Sequence, residues 1–341
     1  MKTVYGQVLL VVLFVVLSCV FWKVLLRIPS GGTAPAEWDI DVEEIAAERR
    51  AAASNVFVNG TEYRLTHPVK TYLIMGTDGD GNVTGIGDEY LGDCADALVL
   101  LMVDDERQAY GEIQIDRDTM MDINVLDSQG RFAFTYYMQL CLAHVYGGNP
   151  SVGCQNERDA VSELLGELDI DRYYALPIGA VQKINHELGG VTVTIEDDFS
   201  AADPSLVQGE TITLSDEQAE TFVRGRMSVG EGDNVSRMRR QKRYVEAMRK
   251  RFETLREEDT SFVSRFLGIL QEDATTDISM EELKSLADKL AGYTDLGEYE
   301  PDGWFEENDT FGDGVYHKEF YTDEASLEEI LCRLYPLEAD E

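Results

Sequence analysis

The sequence predicts an α/β protein: an α/β/α sandwich with a central mixed sheet, carried behind an N-terminal transmembrane helix. Three observations carry that reading. Short apolar runs of strand type alternate with segments of helical period, the pattern of sheets covered by helices. The helical segments have their own start and stop signals. At the N-terminus, Thr3 to Trp22 form twenty residues without a charge, mostly Val, Leu and Phe, enough to cross a bilayer as a helix.

Taken in order, residues 1–28 read as an uncleaved signal-anchor. Ala34-Pro35-Ala36 is loosely like a cleavage site, but it lies well past an apolar run that is too long for a signal peptide. Lys2 precedes the run and Lys23 and Arg27 follow it, so flanking charge alone does not set the orientation. Residues 29–68 read as a linker, opening Pro-Ser-Gly-Gly and continuing through an acidic, Ala-rich helix around Val42–Ala53. The folded domain is expected over 69–255. Thr71–Met75, Ala97–Val103, Gly111–Ile115, Tyr173–Pro177 and Val191–Ile195 are strand-type runs. Asn156–Leu168 and Val181–Leu188 are helical, the second stopped by Gly189-Gly190. Ser215 with Gln218 forms a capping box for a helix over Asp216–Val223. Residues 256–341 read as an acidic helical extension, with helices at Ser261–Leu270, Ser279–Ala291 and Ser326–Tyr335. Ser279/Glu282 and Ser326/Glu329 open the last two in capping-box form. This extension is either an appendage of the same domain or loosely packed.

Charge is unevenly placed. The 341 residues carry a formal charge of −36, which excludes the basic footprint of a nucleic-acid-binding protein. Yet Arg224, Arg226, Arg237, Arg239, Arg240, Lys242 and Arg243 fall within twenty residues that hold only two acids, Glu231 and Asp233. Cations concentrated in an acidic protein suit an anion, because guanidinium forks match phosphate and carboxylate oxygens. Met238, Gln241, Val245, Met248 and Phe252 form the buried stripe of the helix that carries them. Arg237 and Arg240 share a face near its start, where free N–H groups also favour an anion. The bland alternative is a solvated basic face.

Three further charged clusters abut strands: Gly76-Thr77-Asp78, Asp96, and Asp116-Arg117-Asp118-Thr119. Open α/β sheets build their sites at such strand ends. Two of these aspartates could hold a hard divalent cation, and a further carboxylate could take a proton from an attacking hydroxyl. Singly, each aspartate is also a common turn or cap residue. No P-loop, G-x-S-x-G or H-E-x-x-H motif is present, and the four histidines form no ligand pattern. The cysteines lack C-x-x-C spacing, so a zinc site is not expected. Cys141 and Cys154 bracket a Gly-rich loop and are either a disulfide or buried free thiols.

The ordered set G-T-D (76–78), D-A-L-V-L-L (96–101), I-D-R-D-T (115–119), C-L-A-H-V-Y-G-G (141–148), L-G-G-V-T-V (188–193), F-V-R-G-R (222–226) and N-V-S-R-M-R-R-Q (234–241) resembles the LytR-CpsA-Psr family over roughly 69–255. The resemblance implies a single-pass protein of the cell membrane with an extracytoplasmic catalytic domain. Its implied activity is phosphotransfer, moving a glycopolymer from an undecaprenyl (polyprenyl) pyrophosphate carrier onto a peptidoglycan hydroxyl. By the same resemblance Asp78 and Asp96 match the family's Mg²⁺ ligands, a role Mn²⁺ could also fill. Arg117 matches the arginine of its R-D-T motif, and Asp118 the neighbouring carboxylate. Arg224, Arg226, Arg237, Arg240 and Gln241 match its pyrophosphate- and head-group-binding residues, and a long apolar pocket for the polyprenyl chain is implied. Asp118 or Asp78 would be the base. The chain departs from the family's pattern at Cys94-Ala95-Asp96, where R-S-D is usual, and at Asp116, His144 and Asn234. The rival expectations are a polyprenyl-phosphate-binding or envelope-sensing protein without turnover, an attenuator, and a polyprenyl pyrophosphatase.

Overall fold

The computed structural model describes residues 55–77, 93–225, 229–230, 234–259, 261–310 and 316–339. The apolar run Thr3–Trp22 and the helix expected at Val42–Ala53 lie outside them. Among the described residues no helix is long and apolar enough to cross a membrane.

In chain order the elements are β1 (Asn55–Val58), β2 (Thr61–Leu65), β3 (Lys70–Thr77), β4 (Ala95–Asp104), β5 (Ala109–Ile115), β6 (Met120–Leu126) and β7 (Phe132–Gln139). A 3-10 turn (Leu140–Val145), α1 (Pro150–Leu164), β8 (Arg172–Pro177), α2 (Ala180–Glu187), β9 (Thr192–Thr194) and β10 (Thr211–Thr213) follow. Then come α3 (Asp216–Arg224), α4 (Asn234–Glu258), α5 (Phe262–Asp273), β11 (Thr275–Thr276) and α6 (Met280–Gly292). The chain closes with β12 (Thr294–Tyr299), β13 (Gly303–Asn308), β14 (His317–Thr322), α7 (Glu324–Leu334) and β15 (Leu337–Ala339).

Six strands form the central sheet in the order β11-β8-β3-β4-β5-β12. Pairings β3–β8 and β5–β12 are parallel and the rest antiparallel, so the sheet is mixed. Both faces are covered, which is why β4 reads as a continuous apolar run from Ala97 to Val103 rather than an alternating one. Val99, Leu101 and Val103 pack with α2 to α6, among them Phe222, Tyr244, Phe252 and Phe266. Leu98, Leu100 and Met102 point the other way, onto α1, α7 and the 3-10 turn. The three central residues Leu98, Val99 and Leu100 are wholly buried; each such side chain contributes about 1.5–3 kcal/mol.

Three expectations change. The stretch 29–68 contains β1 and β2, which pair with each other and then with β15, so the fold is under way by Asn55. The span 256–341 is not a helical extension: its β11 and β12 are the two edge strands of the central sheet, and its helices α5, α6 and α7 supply core on both faces. Finally, α7 is capped by Asp323, whose carboxylate accepts from the backbone N–H groups of Ala325 and Ser326, rather than by Ser326. The capping box at Ser215 and Gln218 forms reciprocally as expected. At α6 the Ser279 hydroxyl accepts from Glu282 N.

Candidate active site at one edge of the sheet

Sheet direction brings the charged clusters together. Thr77, at the end of β3, is paired with Ala95 at the start of β4 and with Pro177 at the end of β8. Ile115, at the end of β5, pairs with Leu98. Because β4 runs against both neighbours, its first residues and the last residues of β3, β5 and β8 share one edge. Asp96 and the turn Asp116–Thr119 therefore meet there.

Arg117 is the centre of that edge. Its guanidinium is ion-paired with Asp96, and its Nε lies 3.2 Å from Asp118 Oδ1. All three side chains are about one-fifth to one-quarter exposed, so the cluster is reachable yet partly desolvated. Asp116 builds the turn. Its Oδ1 accepts from Asp118 N at 2.8 Å, and its carbonyl accepts from Thr119 N at 3.1 Å and Thr119 Oγ1 at 2.7 Å. Burial, reinforced by the nearby Asp118 charge, pushes the Asp116 carboxyl up to about 7.

The backbone of the turn is held from behind. Cys141 N donates to Arg117 O at 3.1 Å, Leu140 N to Thr119 O at 2.8 Å, and Phe320 N to Asp118 O at 2.8 Å. Beneath lies a buried polar group that the sequence reading missed. Glu157 accepts from His144 N at 2.8 Å, and burial raises its carboxyl well above the ordinary range. His144 Nδ1 lies 2.6 Å from Asp93 O and its Nε2 3.4 Å from Cys154 Sγ. A carbonyl can only accept, so Nδ1 carries the proton and Nε2 accepts from the thiol. His144 thus ties the segment before β4 to α1.

The arginine stretch divides. Arg240, expected to bind substrate, is wholly buried. It donates to Phe222 O at 3.2 Å, to Asp197 Oδ2 at 2.9 Å and to Gly225 O, and it stacks 5.5 Å from the centroid of Phe199. Those contacts occupy its fork, so its role here is to join α4 to α3 and the segment after β9. Arg224 is half exposed and paired in-helix with Glu220 at 2.6 Å. It lines an open cleft of about 490 Å³ with Gln182, Glu217, Glu220 and Thr221. Asp78 and Arg226 lie outside the described residues, as do the side chains of Arg237 and Gln241. Of the expected site residues the structure unites Asp96, Arg117 and Asp118.

The cysteines also differ from expectation. All four described cysteines are free thiols. The neighbouring Cys94 thiol, then burial, raises the Cys141 thiol well above the usual value. Among the described residues no group of three or more His, Cys, Asp or Glu is arranged to hold a metal. Asp96 offers the oxygen chemistry a hard cation takes, and in this arrangement Arg117 already neutralises it.

The structure is a mixed-sheet α/β/α sandwich with a guanidinium held between two carboxylates at a strand edge. The LytR_cpsA_psr family model matches residues 42–298. The chain belongs to that family. Solved structures share the fold at low identity. A Streptococcus agalactiae protein is 19% identical, with a TM-score of 0.56 over 78% of this chain and 86% of that one. TagV of B. subtilis is 18% identical, with a TM-score of 0.52 over 78% and 95%. A transcriptional regulator from Enterococcus faecalis is 20% identical, with a TM-score of 0.50 over 78% and 87%. No curated protein matches the sequence.

Proposed function

We propose that this chain is a membrane-anchored phosphotransferase. It would move a glycopolymer from a polyprenyl pyrophosphate carrier, undecaprenyl in type, to a peptidoglycan hydroxyl and leave a phosphodiester. The observation that carries the reading is Arg117 held between Asp96 and Asp118 at the sheet edge of a member of this family. Pyrophosphate cleavage by a hydroxyl needs charge neutralisation and in-line positioning more than covalent catalysis. Arg117 would exchange a carboxylate for a phosphate oxygen, a contact its fork matches. Asp118, freed of that partner, or Asp78 would accept the proton of the acceptor hydroxyl. Arg224, with Arg226, Arg237 and Gln241, would hold the rest of the pyrophosphate head. A magnesium or manganese ion on Asp78 and Asp96 would add neutralising charge at the pyrophosphate. The N-terminal apolar run would anchor the chain as a single pass with this domain outside the cytoplasm.

The test uses the full chain in detergent with a polyprenyl-pyrophosphate oligosaccharide, peptidoglycan fragments and Mg²⁺. The expected result is a phosphodiester-linked product that Arg117→Ala fails to make. Release of the glycan phosphate to water in place of the acceptor would identify a pyrophosphatase. Lipid binding with no product from either protein would leave a sensor and end the transferase reading. The sensor reading draws on Arg240, whose burial removes one arginine from the expected phosphate-binding set.

A further inference from the structure

We propose that the β13–β14 hairpin is a glycan-binding platform that presents the neutral sugar backbone of the acceptor to the Asp118 turn. That the sugar belongs to the acceptor rests on the proposed transfer to peptidoglycan; the platform itself stands on geometry. Both strands lie beyond residue 298, where the family match ends. Strand alternation puts Trp304, Glu306 and Asn308 on one face with the cross-strand residues Tyr321 and Glu319. The Trp304 indole lies on the Tyr321 ring, with centroids 5.6 Å apart and planes within 14°. Trp304 is nonetheless 53% exposed, so the opposite face of the indole is open to solvent. The rings are held in place. Glu319, wholly buried, accepts from Tyr321 Oη at 2.6 Å, from Asn308 Nδ2 at 2.8 Å and from Thr310 Oγ1. Glu306 accepts from Trp304 Nε1 at 3.3 Å and from Asn308 Nδ2 at 3.1 Å, one bond to each oxygen. Each of those oxygens keeps a lone pair for a hydroxyl. A fixed, flat, half-exposed ring beside such acceptors suits a pyranose. The C–H bonds of its apolar face carry slight positive charge and meet the negative face of the π system, while its hydroxyls donate to Glu306.

Charge selects which glycan. Residues 303–322 hold five acidic residues and one lysine. Lys318 is turned to the other face, its Nζ 3.7 Å from the centroid of Phe305. A pyrophosphate-linked donor would be repelled by the acidic face, whereas an uncharged sugar strand would not. The hairpin is also joined to the catalytic edge. Thr119 bridges Phe320, the Phe320 N–H donates to Asp118 O at 2.8 Å, and Gln139 Nε2 donates to Lys318 O at 2.8 Å. With β14 between them, β13 stands two strand spacings, about 10 Å, from the backbone of Asp118. That is the length of a disaccharide, so a strand stacked on Trp304 can reach Asp118 with its next sugar.

The full chain in detergent is titrated calorimetrically with a neutral hexamer of N-acetylglucosamine, and transfer kinetics are measured with donor and peptidoglycan varied separately. Wild type should bind the hexamer, Trp304→Phe within about threefold of it and Trp304→Ala about tenfold more weakly, the scale of losing an aromatic anchor. With its circular dichroism native, Trp304→Ala should raise KM for peptidoglycan about tenfold and KM for the lipid-linked donor less than about twofold. No binding by wild type, or equal binding by wild type and Trp304→Ala, would overturn the platform. An unchanged KM for peptidoglycan, or a rise in KM for the donor instead, would overturn the acceptor assignment. In nanodiscs, fluorescence quenching by brominated lipid that Trp304→Phe removes would mean that the face meets the membrane, and the glycan would have to go. Hexamer binding that depends on Trp304, with no product from any of the proteins, would uphold the platform and remove the transferase reading instead.

Discussion

Substituting Glu112 by Gln should make the protein more stable, and by an amount that grows with pH. Glu112 sits on β5 opposite Leu101 of β4, on the face that α2 to α6 cover, with Glu298 beside it on β12. It is buried, and among the described residues its Oε2 has no hydrogen-bond partner. Desolvation first, then repulsion from Glu298 and Asp295, raises its carboxyl from 4.5 to about 8. A carboxyl that holds its proton more tightly in the fold than in the open chain loses stability as pH rises from the first value to the second. Below about pH 4.5 both states are protonated and there is no loss. By pH 7 the loss is about 3 kcal/mol, at 1.36 kcal/mol per unit. Gln keeps the shape and removes the proton. Thermal unfolding followed by circular dichroism should then show the variant near wild type at pH 4.5 and roughly 4–6 °C above it at pH 7. Comparing the two proteins at each pH cancels the other raised carboxyls, Asp116 and Glu298 among them. A difference that stays constant between pH 4.5 and 8 would refute the reasoning, because it would mean that Glu112 ionises in the fold as it does in water.

The remaining expectations concern the site. Arg117→Ala should lower product formation by 10³-fold or more, the scale of losing an arginine that stabilises a phosphoryl transition state, while circular dichroism stays native. Arg240→Ala should act on the fold, costing about 3–5 kcal/mol by leaving Asp197 and two carbonyls without their buried cation; urea titration reads it. Arg224→Ala should change stability by no more than about 0.5 kcal/mol, since its ion pair is half exposed, yet raise KM for the lipid-linked donor. Chelation by EDTA should stop transfer and added Mg²⁺ restore it; full activity in the chelator would remove the metal from the proposal.

Much of the framework was legible because its signals are local. The runs around Leu73, Leu100 and Ile113, the stop at Gly189-Gly190 and the box at Ser215 each describe a few consecutive residues, and each forms close to where it was expected. The hairpin β6–β7 was overlooked although Asp122, Ile123, Asn124 and Val125 alternate before the turn Asp127–Gly130. The tail was misread for a different reason. Thr294–Tyr299 has little apolar character, and it is a strand because β5 offers it a parallel edge.

At the site, the sequence by itself determined which residue types stand at the strand ends: Asp96, Arg117 and Asp118 were named from their positions after and before apolar runs. Only the tertiary structure decided which of the charges serve the site and which serve the fold. Helical spacing placed Arg240 on a face with Arg237, but spacing cannot say whether that face meets solvent or the carboxylate of Asp197, 43 positions away. Likewise two cysteines bracketing a loop are a local pattern, whereas the structure leaves Cys141 and Cys154 as free thiols and sets Cys154 against His144 Nε2. Local sequence fixes what a strand or helix can be; the partner that satisfies a charge or a thiol comes from distant chain, and packing alone chooses it.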